Sequence, residues 1–166
     1  MGAVHRSGSG DRASVRRRAR ERAVQFLFGL DFTAYDWEAA IDPFWESNPS
    51  QPRVHEYAER LIRGVMDDLP ALDARIAAAV ENWNPVRVGR IERNVLRVAL
   101  VEMLSFPDVP PRVAINEAVE VARRFGAEEA SRFVNGVLDR LRAEWGEADP
   151  GETSPDANGG NPVDSA

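Results

Sequence analysis

Cysteine is absent from this 166-residue chain, and so is lysine. Without cysteine there is no disulfide, no thiolate metal ligand and no cysteine nucleophile. No apolar run approaches the ~20 residues that a bilayer-spanning helix needs, and the first residues lack the apolar segment of a secretory signal. The chain is therefore expected to be a cytoplasmic protein that has no membrane partner.

Side chains suited to catalysis or metal binding are also scarce. The two histidines, His5 and His55, do not have the spacing of a metal-binding pair, and no Gly-x-Ser-x-Gly elbow surrounds a serine. The paired acids Asp67-Asp68 and Glu128-Glu129 would diverge by about 100° on a helix, so they would not face each other. The sequence favours a protein that is not an enzyme and that needs neither a metal nor a cofactor.

Charge is unevenly distributed along the chain. The formal net charge is −6, yet residues 1–22 contain seven arginines against only Asp11 and Glu21, whereas residues 146–166 contain five acids and no base. Both ends are rich in Gly, Ser, Pro or acids and cannot bury apolar surface. We therefore predict a disordered N-terminal arm over 1–13, one helical domain over 14–145 and a disordered acidic tail over 146–166.

Helical periodicity runs through the middle of the chain, without an alternating strand pattern of useful length. Ser14 is the predicted N-cap of the first helix, and Pro43 is expected to stop the second. The pattern predicts an all-α fold of about seven helices, with approximate limits 14–35, 37–41, 52–69, 70–82, 86–105, 110–125 and 128–145.

The fifth of these helices is apolar on nearly all sides. Eight of the ten residues from Val95 to Leu104 are apolar, and a helix that is apolar all round is buried all round. We expect it to be the central helix of the domain. Its two charged residues, Arg97 and Glu102, would lie about 140° apart at 3.6 residues per turn, and they are expected to mark narrow exits to solvent or to a partner.

Five arginines crowd the seven residues from Arg16 to Arg22. Guanidinium groups match the geometry of phosphate, so the cluster indicates a phosphate-rich partner, most simply nucleic acid. On a helical wheel Arg16 and Arg20 fall on or beside the apolar stripe. This end of the helix is therefore expected to project from the domain or to lie in a groove filled by another molecule, and a frayed basic arm is the alternative. Codon usage is the favoured explanation for arginine in place of lysine, so the prediction of a nucleic-acid partner depends on the clustering.

Two polar sites break the local helical pattern. Gly136 follows Asn135 within an apolar helix, where glycine costs about 1 kcal/mol relative to alanine. Asn116 lies in a similar setting. Tight packing between helices, or a hydrogen bond that bridges them, is favoured here over a binding role, which stays the alternative.

Several segments of the chain occur in the order in which the NusB family has them. They are Arg17-Arg18-Ala19-Arg20-Glu21, Asn82-Trp83, Leu96-Arg97-Val98-Ala99, Glu102-Met103-Leu104, Asp108-Val109-Pro110, Val113-Ala114-Ile115-Asn116-Glu117-Ala118-Val119 and Phe133-Val134-Asn135-Gly136-Val137-Leu138-Asp139. The match covers about residues 14–142, and the last two segments at this separation are highly specific. The chain therefore resembles the NusB family. That resemblance implies an all-helical fold, with two three-helix bundles around a shared long helix.

The resemblance also implies a function in transcription antitermination. NusB proteins bind the single-stranded boxA element of ribosomal RNA leader transcripts, best as a heterodimer with the ribosomal protein NusE. The complex joins NusA, NusG and RNA polymerase. Some members of the family self-associate, so a homodimer is a further expectation.

Site residues follow from the same resemblance. The expected RNA contacts are Arg16, Arg17, Arg18, Arg20, Gln25, Phe28, Arg93, Phe125, Glu129 and Phe133. The last three of these form a second patch around the last interhelical turn. Phe28 stands where some relatives have tyrosine, so a hydroxyl is lost there. Glu92, Arg97 and Glu102 are expected on the side that faces NusE.

Two other classes of function stay open on the sequence alone. NusB-like modules also occur in ribosomal RNA cytosine methyltransferases, and an enzyme of that kind would need its methyl-donor domain from a missing part or partner. The other class is a protein–protein scaffold, in which self-association hides the RNA surface.

Overall fold

The computed structural model describes residues 7–33, 36–80 and 88–145. Within these ranges it contains seven α-helices and no strand, which confirms the all-α prediction. The helices are α1 (Ser7–Leu30), α2 (Trp37–Ser47), α3 (Pro52–Asp67), α4 (Leu69–Ala79), α5 (Arg90–Ser105), α6 (Pro111–Phe125) and α7 (Glu128–Glu144). None of the helices in these ranges is both long and apolar enough to cross a membrane. Residues 1–6 of the predicted arm, the predicted tail and the predicted beginning of the fifth helix lie outside the described residues.

Helix α5 lies at the centre of the molecule and contacts α1, α3, α4, α6 and α7. Helices α1, α3 and α5 pack on one another as a first three-helix bundle, and α5, α6 and α7 form a second. Helix α4 packs against α5 and α7, and α2 packs against α1. The predicted arrangement of two bundles around a shared helix is thus confirmed.

The central position of α5 follows from its sequence. All nine residues from Asn94 to Glu102 are buried, and Leu96 and Leu100 are completely enclosed. Truncating such a leucine to alanine costs about 2–5 kcal/mol, because apolar contacts are lost and a cavity remains. Both bundles therefore depend on the same stretch of side chains for their cores.

Helix α1 differs from its prediction at both ends. It begins at Ser7 and not after Ser14, so residues 7–13 of the predicted disordered arm are helical. Once Val15 and the apolar stripe that follows it are buried, adding residues to the existing helix avoids the cost of a new nucleus. At its other end the helix stops at Leu30, earlier than the predicted limit.

Helix α2 continues past Pro43, where the sequence predicted that it would stop. Proline removes the hydrogen bond to the carbonyl of Ala39, but both residues are exposed, so water can satisfy that carbonyl. Beyond the proline, the ring of Phe44 packs edge-on against Phe26 of α1, with ring centres 5.3 Å apart. This packing keeps the last turn helical.

Helix α6 ends at a glycine that the packing of the last two helices requires. Gly126 is the C-cap residue and has an extended backbone with φ −107°. A Cβ atom there would lie 2.8 Å from the Cβ of Ala130 and 2.9 Å from the carbonyl oxygen of Ala122. The close approach of α6 and α7, and not a left-handed backbone, requires the glycine.

Candidate nucleic-acid interface

Helix α1 turns one side toward the core and the opposite side toward solvent. At about 100° per residue, Arg17, Arg18, Glu21, Gln25 and Phe28 fall within an arc of about 100° on the solvent side. Arg17 and Arg18 are exposed, and the other three are partly exposed. We call these five residues the outer face of α1. It carries four of the residues predicted to contact RNA.

The two arginines on the outer face of α1 differ in their partners. Arg17 donates from Nε and Nη2 to the two carboxylate oxygens of Glu117 on α6, both at 3.0 Å. The hydrogen bond from Arg17 holds the pKa of Glu117 below its usual range. Arg18 makes no hydrogen bond or ion pair with any residue in the described ranges. Because the Arg17 side chain is 55% exposed, its ion pair contributes at most about 1 kcal/mol, and a phosphate group can compete for it.

Arg20 is buried, although it was predicted to bind RNA. Its Nε atom lies 3.0 and 2.8 Å from the two carboxylate oxygens of Glu102 on α5. Tyr57 of α3 donates its hydroxyl to the same carboxylate at 2.7 Å. Burial lowers the pKa of Arg20, but the hydrogen bond and the charge of Glu102 outweigh it and raise that pKa overall. Arg20 thus joins three helices inside the core, and its burial contradicts a direct contact with RNA.

Arg16 is also engaged within the chain. Its guanidinium forms an ion pair with Asp108, in the turn before α6, and the hydrogen bond lowers the pKa of that carboxyl. Of the four arginines on α1 that were predicted to meet RNA, three therefore face carboxylates of the same chain. The expectation that this end of the helix cannot pack against a core is wrong for Arg20, because α5 supplies a buried carboxylate opposite it. Residues 8–14, which precede the arginine cluster on α1, are all exposed.

The two charged residues of α5 do not mark exits to solvent. Glu102 is 1% exposed and Arg97 is 7% exposed. Arg97 donates to both carboxylate oxygens of Asp73 on α4, at 2.7 and 2.8 Å, and to the Asn94 side chain at 2.9 Å. This expectation was wrong because neighbouring helices supply a partner for each charge. Of the three residues predicted to face NusE, only Glu92 is partly exposed.

The second predicted RNA patch adjoins the outer face of α1. Arg124 at the end of α6 donates to Glu21 at 3.0 Å, and its guanidinium lies 5.9 Å from the ring centre of Phe125. Phe125 and Phe133 are partly buried against the core, whereas Glu129 is exposed. The contact between Arg124 and Glu21 therefore connects the turn between α6 and α7 to the middle of the outer face.

Arg93, the remaining predicted contact, lies near the end of α1. Its Nη2 atom is 3.5 Å from a carboxylate oxygen of Asp31, which also accepts a hydrogen bond from Asn94 at 2.8 Å. The Arg93 side chain is 20% exposed. It is thus less accessible to RNA than Arg17 or Arg18.

Sequence reasoning predicted Phe28 but missed its exposed neighbour Phe32 at the same end of α1. Phe32, just after α1, is 60% exposed, and the guanidinium of Arg90 lies 4.1 Å from its ring centre. The rings of Phe28 and Phe32 meet edge to face, with centres 5.1 Å apart. Their spacing of four residues on a helical segment is the signal that would have found them. Exposed aromatic faces of this kind stack nucleobases.

The two polar sites in the last helices are exposed. A Cβ atom at Gly136 would meet nothing within 4 Å, so tight packing does not explain this glycine. Asn135 donates only to Asp139 of its own helix, at 3.3 Å, and Asn116 makes no hydrogen bond within the described ranges. The expectation of tight packing or of bridges between helices is therefore wrong at these positions, and a binding role stays open.

The described residues hold no group of three histidine or acidic side chains that is suited to a metal ion. His55 lies edge-on against Trp45, with ring centres 4.2 Å apart. Its Nε2 atom is 2.8 Å from Glu59. The histidine thus has a structural setting between α2 and α3.

Two three-helix bundles that share one buried helix, with arginine and aromatic side chains on the exposed side of the first helix, define an all-α protein whose surface helix suits a polyanion. Comparison with known proteins identifies the family to which this fold and surface belong. The chain belongs to the NusB family, whose family model matches residues 17–143. This confirms the resemblance found in the sequence, from the arginine cluster of α1 through almost all of α7.

Individual relatives agree with this assignment. The transcription antitermination protein NusB of Sorangium cellulosum is 40% identical over 135 residues, which cover 81% of this chain and 96% of that protein. The T. maritima NusB structure has a TM-score of 0.71 and 37% identity, and the match covers 78% of this chain and 91% of that one. A chain in the crystal structure of the antitermination factors NusB and NusE in complex with dsRNA has a TM-score of 0.71 at 24% identity, covering 79% of this chain and 98% of that one. At that identity the likeness is one of fold.

Proposed function

We propose that this chain is an RNA-binding adaptor of transcription antitermination, not an enzyme, and that it binds the single-stranded boxA element of ribosomal RNA leader transcripts. The observation that carries this proposal is the outer face of α1, where exposed Arg17 and Arg18 lie on the same side as Gln25 and Phe28. Membership of the NusB family supports it. As a protein that binds nascent transcripts, it would act in the cytoplasm.

Different residues of this surface contact different parts of the RNA. Arg17 and Arg18 contact phosphates, which position the RNA but do not select its sequence. Phe28, together with Phe32, offers a ring face on which an unstacked base can lie. The Gln25 carbonyl oxygen already accepts a hydrogen bond from Arg22 at 3.0 Å, so its amide N–H groups are left to donate to a base edge.

The protein partner is NusE, as in the complex of the structural relative that contains NusB, NusE and dsRNA. Glu92, at the partly exposed beginning of α5, is the residue we assign to that contact. Arg97 and Glu102 are buried and do not touch NusE in this proposal. They support the contact indirectly, because their ion pairs with Asp73 and Arg20 fix the position of α5. NusA, NusG and RNA polymerase would join the assembled complex.

The salt dependence of RNA binding tests the role of the outer face. Each phosphate that a protein neutralises on a single strand contributes about −0.7 to the log–log slope of affinity against salt. Arg17 and Arg18 together therefore predict a contribution of about −1.4, and not the value near −3 that four free arginines would give. Replacing both by alanine should make the slope shallower by about 1.4 and leave the fold intact. Arg75→Ala/Arg123→Ala, which removes two exposed arginines outside α1, is the matched control, and an unchanged slope in the Arg17/Arg18 double variant would contradict the proposal.

Selectivity requires a second measurement. Mobility shifts with boxA RNA, with a scrambled strand and with a duplex of the same sequence compare the three kinds of target, each with and without NusE. We expect the single-stranded boxA element to bind best, and NusE to increase the difference. Equal binding of boxA and scrambled RNA in the presence of NusE would contradict sequence-selective recognition.

A further inference from the structure

A crevice of about 250 Å³ opens between the first turns of α1 and the first half of α3. Four arginines surround it, two from each helix, and the ring of Tyr57 contributes to its wall. We call it the α1–α3 crevice. Its lining residues are Arg12, Val15, Arg16, Arg53, Glu56, Tyr57 and Arg60.

The arginines of the crevice have few partners. Arg12 and Arg60 form no ion pair with any described residue. Arg53 lies 3.5 Å from Asp11, but the two side chains are 76% and 61% exposed, so solvent screens this pair. Only Arg16 is firmly paired, with Asp108. Three guanidinium groups with free donors therefore converge on one depression.

Aromatic rings hold two of the four crevice guanidinium groups in place, that of Arg60, which pairs with no described carboxylate, and that of Arg16. The guanidinium carbon of Arg60 lies 4.4 Å from the ring centre of Phe106 and 5.8 Å from that of Tyr57. That of Arg16 lies 5.2 Å from the Tyr57 ring. The Tyr57 hydroxyl donates to the buried carboxylate of Glu102, which fixes the ring. Cation–π contacts of this kind orient an arginine and leave its N–H groups available.

A neighbouring groove lies between the crevice and the outer face of α1 and shares one lining residue with each. Arg18 lines this groove, together with Ser14 of α1 and Ser50 and Gln51 before α3. Val15 lines both the groove and the crevice. The groove and the crevice therefore adjoin at Val15, and a strand bound at Arg18 passes the hydroxyl and amide groups of the groove, and the carboxylate of Asp11, on its way to the crevice arginines.

We propose that the α1–α3 crevice binds a backbone phosphate of RNA through Arg12, Arg53 and Arg60. This inference rests on the proposed function and extends the RNA path from α1 onto α3. Planar guanidinium groups that approach from two helices suit a tetrahedral anion that has oxygen atoms in several directions. Glu56 also lines the crevice, and its negative charge opposes the binding of an anion there. Removing that charge should therefore tighten RNA binding, whereas removing an arginine should weaken it.

The experiment measures binding of boxA and scrambled RNA to the full chain over a range of salt concentrations. Arg53→Ala and Arg60→Ala should each weaken both RNAs by about three- to fivefold. Each change should also make the salt slope shallower by about 0.7, with the ratio between the two RNAs unchanged, because phosphate contacts read no sequence. Glu56→Gln should tighten binding. Arg75→Ala, an exposed arginine on α4, removes the same charge elsewhere and should have no effect.

The other possible results separate failure of the crevice proposal from failure of the proposed function. If the Arg53→Ala/Arg60→Ala double variant binds RNA with the wild-type slope while Arg18→Ala weakens binding, the crevice proposal is overturned and the proposed function stands. If the wild-type chain binds no RNA, the proposed function fails. In that case, titration with inorganic pyrophosphate, followed by the arginine Nε–Hε resonances, shows what the crevice takes instead. Saturable shifts of Arg53 and Arg60 would assign it a free phosphate in place of RNA, and no shift would overturn the crevice proposal. Both arginines are exposed, and a melting curve confirms that each variant is folded.

Discussion

Arg18 and Arg20 lie two residues apart on one helix and have opposite environments. Arg18 is exposed and makes no ion pair with a described residue, whereas Arg20 is 4% exposed and bound to Glu102. Two residues correspond to about 200° of rotation on a helix, which places one arginine toward solvent and the other toward the core. The same arginine cluster thus supplies both a surface for a polyanion and a buried connection among α1, α3 and α5.

The largest effect is expected from Glu102→Ala, which leaves the buried guanidinium of Arg20 without its main partner. Removing one member of a buried ion pair costs about 3–5 kcal/mol, because the remaining charge is desolvated and uncompensated. Urea unfolding measures this loss. Glu120→Ala removes a carboxylate from an exposed pair with Arg123 and should change the unfolding free energy by at most about 0.5 kcal/mol. Similar losses in the two variants would break the distinction between the buried and the exposed charges.

A smaller effect is expected from Tyr57→Phe, which removes the hydroxyl that donates to Glu102. A hydrogen bond to a charged group contributes about 1.5–3 kcal/mol. Burial and the hydrogen bond to Glu102 raise the pKa of Tyr57 well above its usual value. The unfolded chain therefore loses this proton near pH 10 while the folded chain keeps it, so the unfolding free energy falls as the pH rises above about 10.

Unfolding free energies of the wild type and of Tyr57→Phe between pH 8 and 11 test this expectation. The variant should lose most of the alkaline decline. Tyr35→Phe, the other tyrosine of the chain, is the control for the second phenol. An alkaline decline of equal size in Tyr57→Phe would show that the buried network does not hold the proton.

The fold was largely predictable, because hydrophobic periodicity reports which side of each helix is buried. The apolar run from Val95 to Leu104 predicted the central helix, and the structure places it there. The helix limits were less predictable where tertiary contacts override local rules. Packing of Phe44 on Phe26 keeps α2 helical beyond Pro43. Helix α1 begins as early as Ser7 because adding residues to a helix that has already formed needs no new nucleus.

The candidate site was only partly predictable, because periodicity does not say what lies opposite a residue. The cluster on α1 predicted exposed arginines, and Arg17 and Arg18 fit that expectation. The partners of Arg20 and Arg17, however, are 82 and 100 residues away along the chain. No local sequence pattern predicts contacts between residues so far apart. The same holds for Arg12 and Arg60, which come from two helices and line one crevice.

Glu117→Gln tests a carboxylate that stands between the two environments, because it pairs with exposed Arg17 and also lies 3.7 Å from buried Arg20. We expect it to lower the unfolding free energy at pH 7 by about 1 kcal/mol, less than Glu102→Ala does. The hydrogen bond from Arg17 lowers the pKa of Glu117, so this carboxylate contributes stability above its unfolded pKa and loses it as the pH falls through the folded value. The acid side of the stability profile should therefore be flatter in the variant.

Glu117→Gln also tests whether the ion pair with Glu117 keeps Arg17 from binding RNA. Without the carboxylate, Arg17 is free to meet a phosphate, and RNA binding should tighten. Weaker RNA binding, measured alongside Glu120→Gln as the control for loss of one surface charge, would indicate that Glu117 positions Arg17 for RNA and does not compete with it.

The smallest effect on stability, and the clearest separation of the two environments, is expected from Arg18→Ala. An exposed residue without a described partner should change the unfolding free energy by no more than about 0.5 kcal/mol, while the salt slope of RNA binding becomes shallower by about 0.7. Arg20→Ala should do the reverse, because it destabilises the fold but removes no surface charge. Measuring unfolding and RNA binding for both variants gives two independent readouts. If Arg18→Ala left RNA binding unchanged, exposure on α1 would not identify the arginines that contact RNA.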